Sequence, residues 1–204
     1  MDNIRNLRRD QAHATKRKLI DKAFRLFEKY GYDNVTIDQI CNELGLTKGA
    51  FYHHFRSKAD ILLRRYKIAE GDIFELFNNN LKLPPDVQLR KIFDFYLEYF
   101  QENRLDEVKV LIKIQMDKHY KNFALTSTLQ RQVLKHIIQK GQESGCFKKN
   151  VDSEETARFI MSYLYGLLSE WCAYDGKIQF SASLNNFYEK YLKEILFLKN
   201  ETSK

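Results

Sequence analysis

The sequence predicts an all-α fold of about nine helices, and three observations predict it. Apolar residues recur at three and four positions along nearly the whole chain, period-two alternation bounded by turns is almost absent, and the two prolines of the 204 residues stand together at Pro84-Pro85.

The elements follow in order. Leu19, Ile20, Ala23, Phe24, Phe27 and Tyr30 make one stripe that Gly31 ends as a C-terminal cap. Thr36 and Gln39 have the Thr-x-x-Gln spacing of a capping box, which starts a second helix with Ile37, Ile40, Cys41 and Leu44 as its apolar positions. Gly45 marks a sharp turn, and Thr47 caps a short third helix to Phe55. Ser57 with Asp60 caps a fourth, which carries Ile61, Leu62, Tyr66, Ala69, Ile73 and Phe77 and ends in Asn78-Asn79-Asn80, a length that suits a connector. Beyond the prolines, helices are expected over 86–102, 105–119 and 124–144, the last closed by Gly141 and Gly145. Asp152 with Glu155 caps another over 153–174, and 184–198 makes the final one. Three segments result: an N-terminal arm and helical head over 1–56, a connecting helix over 57–80 and a larger helical domain over 81–204.

Composition excludes several classes. Hydrophobic residues at 44% and charged residues at 30% describe a folded chain rather than a disordered one. No apolar run reaches the roughly 18 residues of a membrane span, and the N-terminal stretch MDNIRNLRRDQAHATKRK lacks a signal peptide's apolar core, so no membrane and a cytoplasmic location are expected. Cys41, Cys146 and Cys172 show no Cys-x-x-Cys spacing, so neither a disulfide framework nor a zinc site is expected. His53-His54 with Cys41 or His13 is a poor metal set, because adjacent helical residues point about 100° apart. Paired carboxylates, a nucleophile elbow, a phosphate loop and His-Glu metal motifs are all missing, so neither an enzyme nor a cofactor is expected.

Charge is distributed unevenly. Residues 1–67 hold 15 Lys and Arg against 8 Asp and Glu, and the remaining 19 of each sign cancel. A polyanion partner for the N-terminal third follows if those charges share a face.

The segment 36–55 supplies what a helix-turn-helix needs: Cys41 as the small residue where two helices touch, Gly45 in the turn, and Ile40, Leu44, Leu46 and Phe51 as the buried set. Phe51 and Phe55 facing inward turn Lys48, Gly49, Tyr52 and His53 to the opposite side. Lys48 is long enough for a guanine or a phosphate, and Gly49 and Ala50 allow close approach to the groove floor. Tyr52, His53 and His54 suit phosphates, and Lys58 with the free N–H groups opening the fourth helix suits another. Asp38 opposes a nearby phosphate, and Arg5, Arg8 and Arg9 form a basic arm that can enter a minor groove.

The stretch TIDQICNELGLTKGAFYHHFRSKADIL resembles the DNA-binding signature of the tetracycline-repressor (TetR) family, over roughly residues 14–63. The resemblance implies a three-helix DNA-binding head with helix-turn-helix, followed by a larger helical ligand-binding and dimerisation domain. By position, Thr36, Thr47, Lys48, Tyr52, His53, His54 and Lys58 correspond to operator-contacting positions, with Gly49 and Ala50 facing the bases. The implied partners are a double-stranded DNA operator, a second copy of the chain, and a small apolar or aromatic effector that releases the repressor. An activator or interaction protein whose C-terminal domain binds a protein partner stays open as the alternative.

One head reads few base pairs, so a homodimer is expected, with the last two helices as its surface. Its candidates are Phe159, Tyr163, Leu167, Trp171, Leu184, Phe187, Tyr191 and Ile195. Tyr66, Phe93, Tyr96, Tyr99, Phe100, Met116, Tyr120 and Phe123 are the candidate walls of an effector pocket.

Overall fold

The computed structural model describes residues 2–102, 105–115 and 128–198, with the side chains of 2–10 and 101–102 outside the description. With 180–196 counted as one helix, nine helices are present among the described residues: α1 Asp2–Tyr30, α2 Ile37–Asn42, α3 Lys48–His54, α4 Lys58–Asn79, α5 Pro85–Glu102, α6 Leu105–Gln115, α7 Thr128–Ser144, α8 Ser153–Ala173 and a last helix described below. They contain no strand, only an isolated bridge between Phe147 and Phe197. No helix among them is long and apolar enough to cross a membrane. The chain divides into two compact units, one ending at Arg65 and the other beginning at Tyr66.

In the first unit, α1 runs further than its apolar stripe, so Arg5, Arg8 and Arg9 lie on a helix and not on an extended arm. The segment before Leu19 has no Gly or Pro to stop a helix, and residues 11–18 bury no side chain, so no apolar period betrays one there. Leu19, Ala23, Leu26 and Phe27 of α1 are buried, as are Ile40 and Cys41 of α2, Phe51 and Phe55 around α3, and Ile61 and Leu62 of α4. Thr36 completes its capping box: its side chain accepts from the Gln39 amide at 3.1 Å, and the Gln39 side chain accepts from the Thr36 amide at 3.5 Å. Gly45 takes φ +63°, a left-handed conformation that lets the Leu46 amide reach back to the Cys41 carbonyl at 2.9 Å. That turn sets α3 against α2. Leu44 and Leu46, expected inside, are only half-buried beside it.

In the second unit, α7 packs between α5 and α8, and α8 also contacts α6 and α9 (Phe180–Asn186). Pro85 is the first residue of α5, where a missing N–H costs nothing. Gln88 donates to the Leu83 carbonyl at 2.7 Å and ties the preceding turn to the helix. α9 is followed without a break by a π-helical segment, Phe187–Leu192, and by α10, Lys193–Leu196. The wider turn moves the buried register to Leu184, Phe187, Tyr188, Leu192 and Leu196, and leaves Tyr191 and Ile195 exposed.

Gly141 does not close α7, which continues to Ser144 and ends before Gly145 at φ +79°. A side chain on Gly141 would meet the Phe147 ring at 2.0 Å. Phe147 is fully buried and pairs with Phe197, so the helix surface is cut away to seat the ring that pins the C-terminal segment. The expected consequence is that Gly141→Ala loses about 1–3 kcal/mol of unfolding free energy despite the better helix propensity of alanine, measured by urea denaturation. A gain in stability would show that the ring moves freely.

Candidate nucleic-acid interface and interior cavity

The N-termini of α2 and α3 are held side by side. Each opens on a threonine cap, with the Thr47 oxygen accepting from the Ala50 amide at 3.2 Å, and an ion pair links them: Lys48 Nζ lies 2.8 Å from Asp38 Oδ2. Both partners are more than half exposed. The Asp38 hydrogen bond, and next its charge, raise the lysine pKa above its ordinary value. Asp38 thus competes with any phosphate or base edge for the longest cation on α3.

Thr36, Thr47, Lys48, Gly49, Tyr52 and His53 are exposed and Ala50 is half-buried, so the face opposite Phe51 and Phe55 is open. A Cβ on Gly49 would meet only the Thr47 oxygen, at 3.7 Å, so its smallness relieves no contact within the chain. Tyr52 is 54% exposed and rests edge-on against Phe51. His54 is half-buried against Phe55, and burial, then His53 and Lys16, lower its pKa below the ordinary value.

Lys58, expected to hold a phosphate, is engaged within the chain in this structure. Its ammonium donates to the Tyr32 and Val35 carbonyls at 2.6 and 2.7 Å and lies over the Tyr32 ring. The turn that joins α1 to α2 needs donors for those carbonyls, and an ammonium with three N–H groups supplies them. The Arg56 amide beside it donates to Asp60 Oδ2 at 2.7 Å, so that amide too is satisfied within the chain.

The second unit contains a narrow cavity lined by Tyr66, Ala69 and Ile73 of α4, Phe95, Tyr96, Tyr99 and Phe100 of α5, Gln130 of α7, and Met161, Leu164, Tyr165 and Leu168 of α8. Its free volume, about 10 Å³, is room for about one water molecule. Four of the candidate wall residues, Tyr66, Tyr96, Tyr99 and Phe100, line it. Phe93 does not: it is buried against Phe187 and Tyr188. Met116, Tyr120 and Phe123 lie outside the described residues. The Tyr96 hydroxyl is 3.7 Å from the Met161 sulfur, and burial first, with Glu70 next, raises its pKa.

On the last two helices, Phe159, Tyr191 and Ile195 are exposed and Tyr163 and Trp171 half-buried. Leu167, Leu184 and Phe187 are instead core residues of the unit itself, Phe187 stacked on Tyr163 at 3.8 Å, and their side chains are not available to a partner.

Comparison with known proteins joins these features. Residues 19–64 match the bacterial regulatory proteins of the tetR family, and residues 100–194 match the C-terminal region of YsiA-like proteins. The chain belongs to the TetR family. Among relatives of this TetR regulator, the probable acrEF/envCD operon repressor of Escherichia coli K12 is 24% identical over 200 residues, 90% of each chain. In solved structures, Thermus thermophilus FadR, a TetR-family repressor in complex with lauroyl-CoA, superposes with a TM-score of 0.71 at 17% identity, covering 93% of this chain and 99% of that one. A regulator from Saccharomonospora viridis in complex with choline does so at 0.61 and 25% identity, covering 88% and 97%.

Within this TetR-family chain, the sequence reading missed the α7 and α8 walls of the cavity. Gln130, Met161 and Tyr165 sit in ordinary helical patterns, and only the packing of α7 and α8 on α5 brings them to one space. It noted Asp38 but not its partner. Asp38→Asn is expected to raise affinity for DNA several-fold at low salt, and Lys48→Ala to lower it roughly tenfold, in fluorescence anisotropy titrations. An Asp38→Asn variant that bound more weakly would mean that the ion pair holds Lys48 in its DNA-contacting position.

Proposed function

We propose that this chain is a homodimeric transcriptional repressor released from its operator by a small effector that enters the cavity of the second unit. One observation carries the reading: α4 supplies Tyr66, Ala69 and Ile73 to the cavity wall and, in the same unbroken helix, the buried Ile61 and Leu62 to the first unit. With room for about one water, the cavity takes an effector only if its walls part, and a wall that moves displaces α4. The names of the E. coli relative and of the lauroyl-CoA and choline complexes support a repressor and a ligand-binding domain. An interior cavity favours a ligand over a protein partner.

On this reading Thr36, Thr47, Lys48, Gly49, Ala50, Tyr52 and His53 form the operator face. Phe159, Tyr191 and Ile195, flanked by Tyr163 and Trp171, form the apolar part of the dimer surface.

The test uses the full chain, a DNA site selected from a random pool, and Nile red as a neutral aromatic probe. The selected site is expected to be palindromic and bound by a dimer. Dye should bind once per chain and lower operator affinity, and Ala69→Phe, whose ring overfills the cavity and parts its walls as an effector would, should abolish dye binding and itself lower operator affinity. Dye binding undiminished in Ala69→Phe would place the effector elsewhere.

A further inference from the structure

The walls of the cavity have a definite electrostatic sign. Tyr66, Tyr96, Tyr99 and Tyr165 with Phe95 and Phe100 present rings to it, and no Lys, Arg or His lines it among the described residues. Ring faces carry the negative end of the aromatic quadrupole and attract cations.

Glu70 adds a full charge. It lies four residues after Tyr66, one after Ala69 and three before Ile73, which places it beside the face of α4 that forms the cavity wall. It is half-buried, and no Lys, Arg or His of the described residues forms an ion pair with it. Its carboxylate acts on both the Tyr66 and the Tyr96 hydroxyl and makes each harder to ionise, after burial and Tyr96 for Tyr66 and after burial for Tyr96. A negative potential that opposes a phenolate stabilises a cation at the same place.

We propose that the effector is a lipophilic cation, held against the tyrosine rings with Glu70 as its counter-charge. This rests on the effector-cavity reading above and gives it a chemical class. A cation would supply the partner Glu70 lacks among the described residues, whereas a carboxylate or phosphate in the same space would face that charge.

Three probes that share a ten-carbon tail and differ in head charge separate the possibilities: decyltrimethylammonium, decanol and decanoate, titrated calorimetrically into the full chain below their micelle concentrations. The cation is expected to bind about tenfold or more tightly than decanol, with decanoate weakest. Glu70→Gln should cut the cation's affinity about tenfold while decanol affinity, which reports the same cavity without the charge, changes less than about twofold. Decanol or decanoate binding as tightly as the cation, and lost in Ala69→Phe, would overturn the cationic class and leave the cavity reading standing. No probe binding at all, or binding untouched by Ala69→Phe, would overturn both. A cation preference of the same size in Glu70→Gln would overturn the role given to Glu70.

Discussion

An unbroken α-helix transmits a displacement along its length, and α4 imposes that constraint on everything built around it. Its 22 residues have to satisfy two separate apolar environments with one 3.6-residue period. Ile61 and Leu62 belong to the first unit's core; Tyr66, Ala69 and Ile73 face the cavity of the second. Its first residue, Lys58, is tied to the Tyr32 and Val35 carbonyls, and its last turn is tied off by the Asn80 side chain donating to the Leu76 carbonyl at 2.6 Å. A helix fixed at its N-terminal end to the turn before the helix-turn-helix is a suitable lever for an event at its middle. In the proposed mechanism this is how an effector that parts the cavity walls reaches the operator face.

What was legible in the sequence had local causes. The capping box at Thr36, the Thr47 and Asp152 caps and the glycine turns at Gly31 and Gly45 depend on residues within a few positions of each other, and they fall where their residue types demand. Reading failed where a partner distant in sequence decides. The acceptors that Lys58 meets within the chain lie 23 and 26 residues away and could not be read from its neighbours. Gly141 looked like a helix end because the ring it accommodates, Phe147, follows after the turn. The last helix misled for a subtler reason. A straight period puts Leu184, Phe187, Tyr188, Tyr191 and Ile195 on one face, but the π-helical segment adds a residue to one turn and exchanges Tyr191 and Ile195 for Leu192 and Leu196 in the core.

That exchange bears on assembly. Tyr191 and Ile195 would have been internal in an uninterrupted α-helix, and the core would then have needed no leucine at 192 or 196. With the wider turn, the segment has apolar residues on two faces: one inward, and one outward beside Phe159 and Tyr163, whose hydroxyl reaches the Ser183 carbonyl at 3.4 Å. An exposed aromatic and aliphatic strip of this kind costs solubility unless something covers it. A second copy of the chain is the cover that a two-headed DNA reader requires.

The proposed operator face has the opposite character. It is sparse, with a glycine and an alanine at its centre and one long cation, and that cation is already paired. If Lys48 contacts DNA as proposed, binding exchanges one ion pair for another, and the net gain from Lys48 is the difference between phosphate or guanine and Asp38. Because the pair is exposed, salt screens it as it screens the DNA contact, so the competition damps the dependence of affinity on ionic strength at that residue. Non-specific phosphate contact, which offers Lys48 little more than Asp38 already does, is penalised relative to a base edge that adds hydrogen bonds. On the proposed operator face, a carboxylate set beside α3 is thus expected to lower affinity and sharpen choice, and a face with so few side chains able to read bases has most to gain from that trade.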